Sequence, residues 1–299
     1  LRKLSSAQIP VHAWLVVTKE DGFWANVATQ KAYHKRYQAF LDWTARETIS
    51  WKSVCITMMP PREDAIALKE AKDSLKGKIA LLKLSMARLL DWGGEFEEAV
   101  ASYEDLVRTM QADGFSVEAH YAPAVLDEFR ANTVSLQKML GIVQLNTSTN
   151  LAIIHRRLVG DYPNIIAYID LYAPDAKGII VGHTAKYRLL DGRENDKILD
   201  WQELSRCIIF ATKKNIPLHI ATLEGCVEQG IISKMKDFVI PTNFSLDIEE
   251  EKQRITKMRE NTELLLRLLS YPYLLLFWIM LVLVFSVVLG IKLIVRLIR

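Results

Sequence analysis

The chain has 299 residues, half of them apolar and 24% charged, with a formal net charge of +3. That balance excludes a disordered chain, which could not bury a core, and so small an excess of cations does not argue for nucleic acid as a partner. Cys55, Cys207 and Cys226 lie far apart with no C-x-x-C, which excludes a disulfide framework or a spacing-defined zinc site and leaves small core thiols in a reducing compartment.

The opening LRKLSSAQIP carries basic and hydroxyl residues and no acid, as the end of an organelle transit peptide would, so a mitochondrial location is expected, with a plastid second. VHAWLVV, closed by the turn-like KEDG, is expected to be a strand. Residues 23–51 are expected to form one long helix, with Val27, Tyr33, Tyr37, Phe40 and Leu41 near a 3.6 spacing and Lys31, Lys35, Arg36 and Arg46 between them. A basic, aromatic helix suits single-stranded RNA, but an amphipathic surface helix with aromatic core contacts is the preferred expectation. VCITMM is a second strand, stopped by Pro60 and Pro61, whose rings block a helix there. Residues 63–92 favour helix, Gly93 and Gly94 break it, and residues 95–112 resume it.

Around that break, LSMARLLDWGGEFEEAVASYEDLVRTM resembles a tetratricopeptide unit. Ala87 matches the small residue where the paired helices touch, Gly94 the turn, Phe96 and Ala99 the packing of the second helix, and Tyr103 the outer aromatic. The continuation Met110, Gly114 and Tyr121 resembles equally the end of a pentatricopeptide unit. The resemblance covers about one 34-residue period and implies a helical hairpin. Lys83 departs from the pattern, and no second copy follows, whereas a solenoid needs roughly three repeats. The families imply protein binding (tetratricopeptide) or RNA binding (pentatricopeptide).

Residues 121–140 are expected to be another amphipathic helix, with Pro123 in its first turn and Gly141 as its stop. The polar segment QLNTSTN (144–150) is the expected domain boundary. Beyond it LAIIHRRLV, IIAYIDLY and GIIVGH are expected strands. Asp200 with Glu203 is expected to cap a helix running to Asn215. PLHIAT then forms a strand, residues 224–236 a helix and DFVIP a last strand. Strands alternating with helices imply an α/β unit.

Residues 248–269 form a charged helix in which Ile248, Ile255, Thr262 and Leu269 recur every seven residues, a coiled-coil seam or the inner face of a helix packed on its own domain. From Leu268 to Ile291 no residue is charged. As one helix that run would reach about 36 Å and cross a bilayer of roughly 30 Å. Tyr271 and Tyr273 would sit at the near interface, Lys292, Arg296 and Arg299 would reach headgroups beyond it, and Phe277 and Trp278 would meet partner helices. Ser286 and Gly290 make a small-xxx-small pair.

Motifs of catalysis are scarce. GIIVGHTAK matches neither a P-loop nor a G-x-G-x-x-G pattern. Thr222 and Gly225, where a strand meets a helix, are the candidate anion site, and a structural cap fits them equally well. His12, His34, His120, His155, His183 and His219 show no metal-ligand spacing, and Asp170 is a lone carboxylate at an expected strand end.

Taken together, the expected fold class is α+β and helix-rich. Residues 1–142 make a helical domain with the hairpin, 151–240 a smaller α/β unit, 246–270 a stalk, 271–291 a single-pass transmembrane helix and 292–299 a basic tail. The expected function is a non-catalytic accessory subunit of a membrane complex, in the mitochondrial inner membrane, with other subunits and lipid as partners and without cofactor, metal or nucleic acid. The alternatives are a membrane-anchored α/β enzyme or nucleotide sensor, and a tail-anchored adaptor built on the hairpin.

Overall fold

A computed structural model describes residues 2–90, 94–160, 162–188, 194–195 and 198–298. Six short runs form one sheet: β1 (His12–Leu15), β2 (Ser53–Thr57), β3 (Ser116–Tyr121), β4 (Thr149–His155), β5 (Gly178–Gly182) and β6 (Leu218–Ala221). They lie side by side in chain order, and every pairing is parallel. Each parallel step needs a crossover, and crossovers of one hand that always step the same way place their helices on one face of the sheet. The sheet curls into an open half-barrel, as the inner wall of a (β/α) barrel does, with one face under helices and one concave face opposite.

The crossovers are α1 (Gln30–Glu47) between β1 and β2, then α2 (Arg62–Asp73), α3 (Leu75–Leu90) and α4 (Glu95–Ala112) before β3. α5 (Pro123–Ala131) and α6 (Ser135–Leu140) precede β4, α7 (Tyr162–Tyr172) precedes β5 and α8 (Trp201–Lys213) precedes β6. Alternation along the strands sets the two faces. Ala13, Leu15, Val54, Ile56, Val117, Ala119, Ala152, Ile154, Ile179 and Val181 enter one buried core with the helices. Asp200 caps α8 by accepting from the Glu203 amide, as its spacing suggested.

After β6 come α9 (Leu223–Glu228), α10 (Ile231–Lys236), α11 (Glu249–Leu269) and α12 (Pro272–Ile298). α11 lies across α5 and α7, and Ile248 and Ile255 of its heptad stripe are buried against the body. Arg259, also buried, donates from Nε to Asp127 at 2.7 Å, contacts Asp175 and the Leu171 carbonyl, and stands 3.9 Å over the Tyr172 ring. Burial works against its charge, but Asp175 and Asp127 hold the guanidinium above its ordinary value. α11 is therefore docked on its own domain.

The expected fold class is corrected by this architecture. The molecule is an α/β half-barrel, not a helix-rich α+β body carrying a smaller α/β unit, and β3 pairs with β4 across the polar segment 144–150. Among the described residues no tetratricopeptide-like hairpin is evident: α4 turns Phe96, Ala99, Tyr103, Leu106 and Met110 into the core and packs on α1 and β3, while α3 packs on α2 and α6. The repeat-like residues are the inner face of a crossover helix; Gly93 lies outside the described residues.

The single-pass span is corrected too. Among the described residues no single helix is long and apolar enough to cross a membrane. The uncharged run is split, because Leu268 and Leu269 end the docked α11, the axis bends by 86°, and Pro272 starts α12 afresh. α11 and α12 together pass the length and composition test only as that bent pair.

Residues 165–172, expected as a strand, lie in α7, and residues 121–140 divide into the end of β3, α5 and α6. DFVIP takes no strand conformation.

Candidate metal centre on the concave face

On the concave face the alternate positions of β1 to β3 carry His12 and Trp14, then Ser53, Cys55 and Thr57, then Glu118 and His120. Parallel register places Cys55 beside Glu118 and Thr57 beside His120. Strand curl brings His12, from the start of β1, onto the same spot. His12 Nδ1 lies 3.0 Å from Glu118 Oε1 and touches the Ser53 hydroxyl. Cys55 Sγ donates to Glu118 Oε2 at 3.5 Å. One ligand atom each from His12, Cys55 and Glu118 lies within 4.8 Å of the others, close enough for one ion to touch all three.

Surroundings tune these groups. Burial, reinforced by the Glu118 charge, pushes the Cys55 thiol up to about 12. Burial also pushes the Glu118 carboxyl up, but the Ser53 hydrogen bond, the His12 charge and the Cys55 thiol outweigh it and hold the group below its ordinary value. The free site thus holds a carboxylate beside a protonated thiol. A nitrogen, a sulfur and a carboxylate oxygen are the mixed donor set that zinc accepts, and thiolate disfavours magnesium or calcium.

Two more histidines border the cluster. His120 is 9% exposed; its Nδ1 lies 3.0 Å from Thr57 Oγ1, and its Nε2 is buried without a hydrogen-bond partner. Burial pulls its imidazolium down to about 4, with Glu118 opposing and His219 adding. His219 on β6 lies over Gly178, where a Cβ would come within 3.2 Å of its Nε2. Burial lowers His219 as well; it also feels Glu118 and His12 although its strand is at the opposite edge of the sheet, a consequence of the curl. Trp14, 54% exposed, stacks on Trp24 at 5.6 Å.

Sites of α/β folds usually occupy the C-terminal ends of strands. Thr57 and His120 stand at or next to those ends, whereas Cys55 and Glu118 lie mid-strand and His12 is the first residue of β1, so the three donors sit below the usual position.

The residues singled out from sequence go elsewhere. Thr222 caps the short α9 by accepting from Gly225 N, the structural role weighed for this pair, and a Cβ on Gly225 would lie 2.2 Å from the Thr184 carbonyl carbon. Asp170 is on α7, not at a strand end, and pairs with Lys214 and Lys252. His34 bonds to Ser102, and the His155 and His183 rings lie 5.5 Å apart at the ends of β4 and β5. Tyr271, Tyr273, Phe277 and Trp278 are exposed at the start of α12. Ser286 bonds back to the Val282 carbonyl, and Gly290 faces open space. Lys292 and Arg296 are on α12 with side chains outside the description, and Arg299 lies outside the described residues.

Spacing could not have found the metal cluster, since its donors come from three strands. The signal was in the alternation: HAWL, SVCIT and SVEAHY each set reactive side chains at every second position. No family model, curated protein or solved structure matches the chain.

Proposed function

We propose that the chain binds one zinc-class ion on the concave face of its half-barrel, through His12, Cys55 and Glu118, and activates water or a carbonyl there. The convergence of three different donor types within 4.8 Å carries this reading. Three protein donors leave a fourth position on a tetrahedral ion, the arrangement of catalytic rather than structural zinc. Metal-bound water is far more acidic than bulk water, which gives hydrolysis or hydration as the reaction class. Cobalt substitution tests it: the loaded protein should show a thiolate-to-cobalt charge-transfer band that is lost in C55S. A wild-type spectrum without that band would remove Cys55 from the site and overturn the reading.

A second reading concerns location and partners. Leu274, Phe277, Trp278, Met280, Leu281, Val282, Val284, Phe285, Val287, Val288 and Ile291 are all exposed on α12. Apolar side chains on every side of a helix suit lipid better than a protein groove, which would need one stripe. We propose on this basis that the chain attaches to a membrane surface; that it does so beside other subunits of a membrane complex, in the mitochondrial inner membrane, is part of the same proposal and rests on the sequence alone. Flotation with liposomes tests it: the full chain should float, and a chain ending at Tyr271 should not.

A further inference from the structure

One hydrogen-bonded relay across the concave face determines what His120 offers a ligand. Trp14 Nε1 lies 3.0 Å from Thr57 Oγ1, and Thr57 Oγ1 lies 3.0 Å from His120 Nδ1. An indole nitrogen can only donate, so Trp14 gives its hydrogen to Thr57. The threonine hydroxyl can then either give its own hydrogen to His120 Nδ1 or accept a second one from it; giving it satisfies that hydrogen within the relay. In that arrangement Nδ1 is the lone-pair nitrogen of the imidazole, and the ring hydrogen sits on Nε2.

That Nε2 is buried on a side chain only 9% exposed and has no hydrogen-bond partner. A buried donor left unpaired costs the folded state its full desolvation penalty, so such a group calls for an explanation, of which a catalytic role is one. The stack of Trp14 on Trp24 holds the far end of the relay, so the ring's orientation is set by packing on β1 as well as by β2 and β3. His120 follows Glu118 by two residues on the same strand face, about 7 Å further along β3 and on the same concave surface as the three donors.

We infer that His120 presents its Nε2–H to an oxygen of the bound substrate, a carboxylate, carbonyl or acyl oxyanion, and is not a ligand of the ion. This rests on the metal reading for what the donor serves. A direct ligand would need its lone pair on Nε2, which this arrangement of the relay puts on Nδ1. An N–H aimed at a developing oxyanion in a water-poor site is the kind of group that stabilises acyl-transfer or hydrolytic intermediates. Trp14 and Thr57 are positioning residues, since they act only through the imidazole.

Two measurements test the inference, and the first needs no metal. Long-range nitrogen–proton NMR of the metal-free protein should show His120 as the Nε2–H tautomer, and T57V should turn it into a mixture. An Nδ1–H tautomer in the wild type would overturn the proposal whatever happens to the metal. The second titrates acetate, a carboxylate probe, into Zn2+-loaded protein. H120F should weaken acetate by about 10–100-fold, the value of one hydrogen bond to a charged acceptor. H120Q, which keeps an N–H near the same place, should recover part of that loss, and Zn2+ affinity should stay within about threefold in both variants. Equal acetate affinity in wild type and H120F would overturn the proposal, as would loss of Zn2+ affinity on the scale of losing a ligand, which would make His120 a ligand. Failure of the wild type to take up Zn2+ would overturn the metal reading itself and leave the tautomer to decide the role of His120.

Discussion

R259A separates a docked α11 from a free stalk. Arg259 is 6% exposed and its main partner Asp127 is 3% exposed, so truncation leaves a buried carboxylate whose cation is gone. Tyr172 still donates to Asp127 at 2.6 Å, which keeps one of its hydrogen bonds. Asp175 loses its closest cation but keeps Arg130 at 4.0 Å. Removing one partner of a buried pair costs about 3–5 kcal/mol, because the charge left behind is uncompensated. Against a typical stability of about 5–15 kcal/mol that is a large fraction. With a urea slope of about 3 kcal/mol per molar, the midpoint followed by far-UV circular dichroism should fall by roughly 1–1.7 M. A companion variant R259A/D127L removes both charges and should recover most of the loss, since apolar replacement of a whole buried pair is often nearly neutral. An R259A midpoint within 0.2 M of wild type, roughly the scatter expected of such fits, would refute the docking of α11.

Other outcomes follow from the same structure. C55S should lower Zn2+ affinity by more than about 100-fold, beyond the 10–100-fold that loss of a supporting partner costs; a competition assay with a chromophoric chelator measures it. Because the thiol is protonated in the free protein, each ion bound should displace about one proton, and Zn2+ affinity should rise with pH between 6 and 8; titration in buffers of different ionisation enthalpy counts the protons. G225A should cost about 1–3 kcal/mol by forcing a methyl into the Thr184 backbone, without changing Zn2+ affinity.

Parts of the fold were plain in the residues. HAWL, SVCIT, LAIIH, GIIVG and LHIA alternate or run apolar between turn residues, and each is a strand. β3 was hidden because SVEAHY lies between two strongly helical stretches, and its Glu and His do not look like strand residues until the concave face explains them. IIAYIDLY misled in the opposite direction. Its isoleucines suggest a strand, but Ile165, Ile166, Ala167, Ile169 and Tyr172 are buried because α7 is sandwiched between the sheet and α11, so a helix apolar on most sides has no periodic signature. The resemblance around Gly94 came from the same limitation. A small residue, an aromatic and a turn at these spacings serve any helix that packs closely, and here they serve a crossover.

The candidate metal cluster was invisible for a topological reason. His12, Cys55 and Glu118 come from three successive strands, separated by α1 to α4; parallel register sets Cys55 beside Glu118, and His12, in register with Ser53, joins them through the curl of the sheet. Sequence spacing finds metal sites built on one hairpin or one helix. It does not find sites built across a sheet.

X-ray absorption at the zinc edge of reconstituted protein reads the proposed donors one by one. The spectrum should show one sulfur at about 2.3 Å from the metal together with nitrogen and oxygen donors at about 2.0–2.1 Å, with the sulfur shell lost in C55S. A first shell of nitrogen and oxygen only in the wild type, or a protein that takes up no stoichiometric zinc, would contradict the proposed site.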